Sequence, residues 1–353
     1  MKTPTLFKHL LSLVLALSLG ACATQPGSYS RATPEKPASS LAPLPEPVTS
    51  FAAVTDDGWL YVCGGHKGER HDYSAAKVSG AFHRLRLDDG ATWQRLPDAP
   101  PAQGVPLVAH EGRLYRIGGM AARNQPEQKQ DLYSMSSVLR YDVRRARLEE
   151  FAALPEPRSS HDAVVVDDKL YVGGGWRMSG GTNLPSWPDH ALVFDLKNPR
   201  AGWSRIPQPF QRRALAMAAQ DSRLYFIGGM DSDNKPTLAV EVLDLASAQW
   251  SKSPELPAGK FKGFSCSAIT QAGRVYANTF QGDLLRLTTD GGAWEVVGRL
   301  QYPRLAHRLV TAGADQLIAL GGEDGESKRP ELELLTPSVK AIVSTPARTA
   351  AAH

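Results

Sequence analysis

Two short segments of the chain place an arginine three residues before a histidine, at Arg158-x-x-His161 and at Arg304-x-x-His307. A guanidinium offers a planar pair of hydrogen-bond donors that fits a carboxylate or a phosphate. An imidazole titrates near neutral pH, as general acid–base chemistry requires. The pattern therefore indicates an anion-binding site, with proton transfer as a second use of the same residues. Further cations at comparable points of the chain are Arg212, Arg213, Lys260 and Lys262.

Three longer segments, residues 66–80, 120–136 and 176–189, combine aromatic and cationic side chains. This mixture suits stacking on sugar rings and pairing with acidic groups. Long loops on a rigid scaffold are the usual place for such binding. The alternative is that Trp176 and Trp187 only pack their own loop. The aromatic and cationic residues of these segments are His66, Lys67, Arg70, His71, Tyr73, Arg123, Lys129, Tyr133, Trp176, Arg177 and Trp187.

A repeated phrase indicates how the chain positions these residues. Leu-Tyr-x-x-Gly-Gly starts at Leu60, Leu114, Leu170 and Leu224, and weaker copies follow from residues 275 and 317. A repeat of about 50 residues is typical of a β-propeller built from four-stranded blades. Each copy reads as the second strand (b) of a blade, with a hairpin partner (a) before it and two alternating strands (c, d) after it. Strand d begins at a large ring in five repeats, namely at Trp93, Phe151, Trp203, Trp250 and Trp294.

The order of glycine pair, strand c and tryptophan resembles the kelch-repeat family over residues 40–336. The resemblance implies an all-β, six-bladed propeller. Local departures are Thr279-Phe280 in place of a glycine pair, Phe151 in place of tryptophan and Ile318 in place of tyrosine. The last repeat lacks a tryptophan strand after residues 332–335. We therefore predict that residues 41–47 supply the outer strand of blade six and close the ring, which leaves fewer free edges.

Alternating strand directions place the loops from d to a and from b to c on one face of the propeller. We expect the cations and aromatic rings to meet there, most of them over blades one to three. The resemblance also implies an alternative, because kelch repeats commonly carry Arg-x-x-His where it satisfies loop carbonyls. The predicted binding residues are Arg158, Arg212, Arg213, Lys262, Arg304, His66, Arg70, Trp176, Arg177 and Trp187.

The N-terminal segment predicts export. Residues 1–21 have a basic start and an apolar stretch too short for a stable membrane span, as in a signal peptide. Leu19-Gly20-Ala21-Cys22 resembles the lipobox of bacterial lipoproteins, which implies lipidation of Cys22 and, with Ala23 next, the periplasmic face of an outer membrane. An ordinary signal with a chance cysteine is the alternative. Residues 22–39 read as a flexible tether and 337–353 as a disordered tail, or, at 341–343, as an edge strand.

The net charge, the missing motifs and the positions of cysteine and histidine argue against several classes of function. Removal of Lys2 and Lys8 takes the net charge from +4 to +2, a weak balance that does not favour nucleic-acid binding. Motifs of hydrolases, nucleotide-binding proteins and zinc sites are missing from the sequence. Cys63 and Cys266 fall in blades that are not adjacent, so we expect two buried free thiols. His66 and His71 alone are too few to indicate a metal site, and no cofactor is predicted.

Three functions remain open. The first is a monomeric, non-catalytic propeller, lipid-anchored in the cell envelope, that binds a glycan or a protein, with an anionic group favoured. The alternative rests on a fold-level resemblance to sialic-acid mutarotases. It would use Arg158, Arg213 or Arg304 to hold a carboxylate and His161, His307 or Glu323 as acid and base. The third is a structural envelope protein without a discrete ligand.

Overall fold

Six sheets with the same antiparallel order make up the protein, whose computed structural model describes residues 41–181 and 183–338. Five of these sheets have four strands and the last has three. The first strands of neighbouring sheets contact one another around a common axis. The structure thus confirms the predicted all-β, six-bladed propeller. The predicted signal peptide, the tether and residues 339–353 of the tail lie outside the described residues.

The first three blades follow one another along the chain. Blade one consists of β1 (Ala52–Asp56), β2 (Trp59–His66), β3 (Val78–Arg86) and β4 (Trp93–Arg95). Blade two consists of β5 (Leu107–His110), β6 (Arg113–Ile117), β9 (Val138–Asp142) and β10 (Arg147–Glu150), and its b–c loop holds the hairpin of β7 (Met120–Ala122) and β8 (Leu132–Ser134). Blade three consists of β11 (Ser159–Val166), β12 (Lys169–Trp176), β13 (His190–Asp195) and β14 (Trp203–Pro207).

The other three blades complete the circle. Blade four consists of β16 (Ala216–Gln220), β17 (Arg223–Ile227), β19 (Val240–Asp244) and β20 (Gln249–Ser253), and β15 (Arg212–Arg213) pairs with β18 (Met230–Asp231) beside it. Blade five consists of β21 (Ser267–Gln271), β22 (Arg274–Asn278), β23 (Asp283–Leu287) and β24 (Trp294–Arg299). Blade six consists of β25 (Arg308–Ala312), β26 (Gln316–Leu320) and β27 (Leu332–Leu335).

Helices contribute little to the fold. The described residues include two single-turn 3-10 helices, Ala75–Lys77 and Pro199–Ala201. No helix within the described part of the chain has the length and apolar character needed to cross a membrane.

The position of each strand in its blade explains its residue pattern. The inner strand β17 is buried at Leu224 through Ile227, because sheets of neighbouring blades cover both of its faces. The outer strand β20 is exposed at Gln249, Ser251 and Lys252. Continuous apolar runs are typical of strands covered on both faces, and mixed sequences of strands with one wet face. Six apolar clusters fill the interfaces between neighbouring blades.

A closed circle of backbone hydrogen bonds surrounds the axis where each blade begins. Each of six residues donates its N–H to the carbonyl of its counterpart in the preceding blade, at N···O distances of 2.7 to 3.2 Å. All six have φ between 51° and 58°, in the left-handed region that is costly for residues other than glycine. The circle ties all six blades together at one level. Its residues, called the axial ring below, are Ser50, Gly104, Ser160, Ala214, Ser265 and Ala306.

The glycine pairs allow neighbouring blades to approach closely. The N–H of Gly65 donates to the Ala102 carbonyl of blade two at 2.8 Å, and that of Gly119 donates to the Arg158 carbonyl of blade three at 2.9 Å. A side chain on Gly64, whose φ is 70°, would clash with the same Ala102 carbonyl. The repeated glycines are therefore docking points between blades.

The tryptophans of the outer strands also connect neighbouring blades. Trp203 Nε1 donates to the Ala152 carbonyl at 3.2 Å, and Trp294 Nε1 donates to the Pro254 carbonyl at 2.9 Å. Each bond runs from one outer strand to the outer segment of the preceding blade. The side chain of Phe151 has no N–H group and cannot make this bond. The tryptophan pattern in the sequence thus marks the rim of the propeller.

The N-terminal segment takes the outer place of blade six. Leu44 donates its N–H to the Pro330 carbonyl at 2.8 Å, directly before β27. Trp93 of blade one donates to the Ala42 carbonyl at 3.1 Å, as the other tryptophans do toward their preceding blades. Residues 41–44 have the predicted location but are not a regular strand, because this single backbone bond joins them to the β27 segment.

An ion pair crosses the axis below the axial ring. Arg308 of blade six donates to the Asp162 carboxylate of blade three at 3.1 Å and to the carbonyls of Phe51 and Val105 at 3.0 and 3.1 Å. The second oxygen of Asp162 accepts the N–H of Met217 at 2.9 Å. Blades three and six face each other in a ring of six. The ion pair and the backbone hydrogen bonds of its two side chains therefore connect five blades.

Replacement of Arg308 with methionine should destabilise the fold. The Asp162 side chain is only 8% exposed, and the variant leaves its charge without a cation. We expect a loss of about 3 kcal/mol in the free energy of unfolding, measured by urea denaturation. The double variant Asp162→Asn/Arg308→Met is the control and should lose clearly less, because no buried charge remains. Equal stability of the single and double variants would contradict the prediction.

Candidate functional site

The face that carries the d–a and b–c loops contains a cavity of about 450 Å³ on the propeller axis. The six residues of the axial ring form its floor, and loops of blades one to six form its walls. A second cavity of about 540 Å³ opens on the opposite face, and Arg308 lines both. The ion pair of Arg308 with Asp162 thus separates the two cavities. The cavity on the loop face, called the loop-face cavity below, holds most of the predicted chemistry.

An aromatic wall of the loop-face cavity carries one cation. The guanidinium of Arg213 lies 4.1 Å from the ring centroid of Trp176 and 5.4 Å from that of Phe264. Burial lowers the pKa of Arg213, and the nearby Tyr73 opposes this shift. Its Nη2 contacts the Met230 sulfur at 3.1 Å, and its Nη1 makes no hydrogen bond within the described residues and is not among the buried polar atoms. Arg213 therefore keeps donor capacity for a ligand.

An ion pair lines the loop-face cavity near blades one and six. Arg70 donates through Nε and Nη2 to one Glu323 oxygen at 3.0 and 2.6 Å. Lys328 donates to the Gly68 carbonyl in the same region. These contacts join the b–c loops of the first and last blades. The charge of Arg70 is consequently neutralised by Glu323.

Three histidines that line the cavity are buried. His66 Nε2 lies 2.9 Å from the Asp72 carbonyl. His161 and His307 are each 3% exposed, and their ring nitrogens have no partner among the described residues. Burial, and then the positive charges of Arg304 and Arg308, lowers the pKa of His307 to about 3. The pKa of His161 is lowered well below its usual value for the same kind of reason. Both rings are neutral at neutral pH.

Three of the predicted anion-binding arginines do not reach the cavity. Arg158, Arg212 and Arg304 are 0%, 3% and 0% exposed. Arg212 donates to the Gly228 and Ala239 carbonyls at 2.9 and 3.0 Å and pairs with Glu241. Buried charges need such partners, and a carboxylate of the same blade compensates the charge of each of these arginines. This corrects the prediction of a cationic ring and agrees with the alternative that they satisfy loop carbonyls.

The other two buried arginines have equivalent partners. Arg158 donates to the His190 carbonyl at 3.1 Å and pairs with Glu156 at 3.3 Å. Arg304 donates to the Gly321 carbonyl at 2.7 Å and makes two bonds to Glu333.

Three further predicted residues, Lys262, Arg177 and Trp187, lie outside the cavity lining. Lys262 and Arg177 are exposed. Trp187 packs on Trp176, with ring centroids 5.6 Å apart, and so supports the aromatic wall from behind. From the predicted sets, the cavity therefore brings together His66, Arg70, His71, Tyr73, Trp176, Arg213, His161, His307 and Glu323.

Sequence reasoning missed several lining residues, namely Arg308, Phe264, Gln103 and the serines of the axial ring. Arg308 stands two residues after its ring residue, as Asp162 does in blade three. Alignment of the repeats at that position would have shown an opposite-charge pair on blades that face each other. No local signal marks Gln103.

One group of potential metal ligands lies on the opposite face. His110, Glu111 and Asp168 have ligand atoms within 4.8 Å of one another. The Lys197 ammonium contacts Glu111 and lies 3.8 Å from Asp168. The lysine charge occupies the position between the carboxylates, so the group forms an ion-pair cluster joining blades two and three.

The buried histidine His307 should make stability depend on pH. In the unfolded chain its pKa is about 6.5, whereas the folded value is about 3. Between these values the unfolded chain binds a proton that the native protein does not. The free energy of unfolding therefore falls as the pH falls, by about 1.4 kcal/mol per pH unit. In urea denaturation, the stability gap between wild type and His307→Gln should shrink by about 2.5 kcal/mol from pH 7 to pH 4.5.

The same comparison between pH 7 and pH 9 is the control for this prediction. There His307 is neutral in both states, so the gap should stay constant. A gap that also stays constant down to pH 4.5 would show that the ring titrates normally in the native protein.

Known proteins share the repeat pattern. The model of the KLHDC2/KLHL20/DRC7 Kelch-repeats domain matches residues 49–277. The chain is 30% identical over 272 residues to human Kelch repeat and BTB domain-containing protein 13, covering 75% of this chain and 53% of the relative. It is 24% identical over 222 residues to Kelch-like protein terF of Aspergillus terreus, covering 62% and 47%. The chain thus spans about half the length of these relatives.

A solved structure shows the same fold at low sequence identity. The structure of YjhT superposes with a TM-score of 0.67 and 17% identity, covering 86% of this chain and 98% of that chain. Its likeness concerns the fold alone. The matched domain and the repeat geometry together show that the chain belongs to the kelch-repeat β-propeller family.

Proposed function

We propose that this protein is a non-catalytic binding propeller whose loop-face cavity takes a ligand with an acidic group, presented by a glycan or a protein. The observation that carries the proposal is Arg213, a cation on an aromatic wall with unused donor capacity. Insertions on one face of a repeat protein are commonly its binding surface. Trp176, at the start of the long b–c loop of blade three, and Phe264, in the d–a segment of blade five, supply the rings of this wall.

The charges in the cavity single out Arg213. Arg70 is paired with Glu323 and Arg308 with Asp162, so neither attracts an anion strongly. Within the described residues, Arg213 has no carboxylate partner within 4.0 Å. A partly desolvated guanidinium gains most from a charged acceptor, because water screens the attraction less. A carboxylate of the ligand is the group that best fits it.

Replacement of Arg213 with alanine should abolish most of this binding. Saturation-transfer NMR and calorimetry with N-acetylneuraminate and with a tetraglutamate peptide measure the affinity for a sugar and for a peptide carboxylate. We expect at least a tenfold loss for the ligand that binds, about 1.4 kcal/mol, because a charge-assisted bond disappears. Lys262→Ala removes an exposed cation outside the cavity and is the matched control. Unchanged affinity in the Arg213→Ala variant would refute the proposal.

The alternative function is a mutarotase that acts on an acidic sugar. It is favoured by the convergence of Arg213, His161, His307 and Glu323 on one cavity. Against it, both histidines are held neutral and Glu323 is paired with Arg70, so none of these three residues is poised to donate a proton near pH 7. The NMR samples with N-acetylneuraminate also report anomer exchange. Exchange above the spontaneous rate, lost in Arg213→Ala, would favour the mutarotase.

The cellular setting is part of the proposal. We infer that the chain is exported as a monomer and anchored in the cell envelope by lipid on Cys22, from the lipobox-like sequence at residues 19–22. Several acyl chains on one residue hold a protein to a membrane far better than one chain does. A lipid-free protein without a ligand would instead support the structural function.

Replacement of Cys22 with serine should release the protein from membranes. We expect the wild type in the detergent phase, with acyl mass on the N-terminal peptide in mass spectrometry, and the variant in the aqueous phase. Cys63→Ser is the control, because this buried thiol is unrelated to anchoring and its loss should not change the partition. An unmodified Cys22 in the wild type would support an ordinary signal peptide.

A further inference from the structure

The floor of the loop-face cavity carries serines on alternate blades. Ser50, Ser160 and Ser265 are the axial-ring residues of blades one, three and five. The ring residues of blades two, four and six, Gly104, Ala214 and Ala306, have no polar side chain. Three hydroxyl groups therefore surround the axis at alternate positions of the ring.

These hydroxyl groups are available to a ligand. The backbone N–H and carbonyl of each ring residue are already used in the circle of hydrogen bonds. None of the side-chain hydrogen bonds in the described part of the chain uses the Oγ atoms of Ser50, Ser160 or Ser265, and all three residues are partly exposed to the cavity. Each hydroxyl donates one hydrogen bond and accepts up to two. The floor thus offers donors and acceptors together.

The cation that lies directly below the floor is paired with a carboxylate. This cation is Arg308, and its charge is cancelled by Asp162. Beside the floor, His161 and His307 are neutral at neutral pH because burial disfavours their protonated forms. An ion gains little in such a place and loses its hydration. A neutral group with several hydroxyls is the better fit.

Buried polar atoms around the floor also lack partners. Gln103 is 3% exposed, and its Nε2 has no hydrogen-bond partner among the described residues. The ring nitrogens of His161 and His307 are in the same state. All three residues line the loop-face cavity. Buried polar groups without partners are costly, so a ligand that supplies hydrogen bonds here gains their satisfaction.

From this arrangement we infer that the cavity floor is a hydroxyl-recognition subsite, with Ser50, Ser160, Ser265 and Gln103 as its specificity-determining residues, and that the ligand is a saccharide rather than a peptide. This inference rests on the proposed function, since it names the class of ligand for the same cavity. The hydroxyl groups of a sugar enter toward the axis, and its carboxylate pairs with Arg213 on the wall. The cavity volume is within the range of small-molecule sites.

The matched pair of probes is glucuronate and cyclohexanecarboxylate, which share a six-membered ring and a carboxylate but differ in hydroxyl groups. Calorimetry should show that the wild type binds glucuronate at least tenfold more tightly. The triple variant Ser50→Ala/Ser160→Ala/Ser265→Ala should lose this preference and keep its weak affinity for cyclohexanecarboxylate. Alanine suits the ring, because Ala214 and Ala306 already occupy it with φ of 51° and 54°. The thermal midpoint of the triple variant checks that it folds, and Gln103→Leu is a second test outside the ring.

The outcomes separate this inference from the proposed function. The hydroxyl subsite is overturned if the wild type binds the two probes equally well. It is also overturned if both the triple variant and the Gln103 variant keep full affinity for glucuronate. In either case, loss of binding in Arg213→Ala still supports the proposed function. Binding of tetraglutamate without binding of glucuronate overturns the saccharide class alone. Glucuronate affinity that depends on the serines and not on Arg213 supports the subsite and contradicts the proposed role of the cation.

Discussion

The circle of six backbone hydrogen bonds at the axial ring is the constraint on which the rest of the structure depends. It closes only if every blade places one residue in the left-handed region at the same height. Five of the six residues have a side chain and bear the conformational cost, which the surrounding packing must offset. As a result, the ring residues of all six blades lie at the same height along the axis. The residues that follow them therefore have the same orientation in each blade. The second residue after the ring faces the axis, where Arg308 meets Asp162.

The axial ring also gives two neighbouring arginines different surroundings. Arg212 and Arg213 are neighbours on one short strand, and successive strand residues point to opposite sides. Arg212 is directed into blade four, where carbonyls and Glu241 satisfy it. Arg213 is directed toward Trp176 and the loop-face cavity. Arg158, Arg212 and Arg304 each lie two residues before a ring residue and are buried in their blades, whereas Arg213 lies one residue before Ala214 and lines the cavity.

Burial shapes the chemistry of the cavity as strongly as the choice of residues does. His161 and His307 have the residue type that acid–base catalysis uses, but their burial beside arginines holds both rings neutral. The ion pairs at Glu323 and Asp162 neutralise two of the three cations that line the cavity. What remains is a polar, nearly neutral floor and one positive wall. These features are the physical basis of the proposed binding function.

The sequence by itself determined the six blades and their strand order, because each repeat carries its own hairpin and most carry a glycine pair and a tryptophan within about 50 residues. The sequence also located the N-terminal segment beside blade six, although the outer strand predicted for residues 41–47 is not a regular strand. It also placed most of the aromatic and cationic loops on one face. Only the tertiary structure decided which of these side chains meet. The ion pair between Asp162 and Arg308 spans 146 positions, and the serines of the axial ring come together from three separate repeats. Contacts across a closed ring depend on how all blades pack at once, so aligned repeats can suggest such a pair but do not show that its members meet.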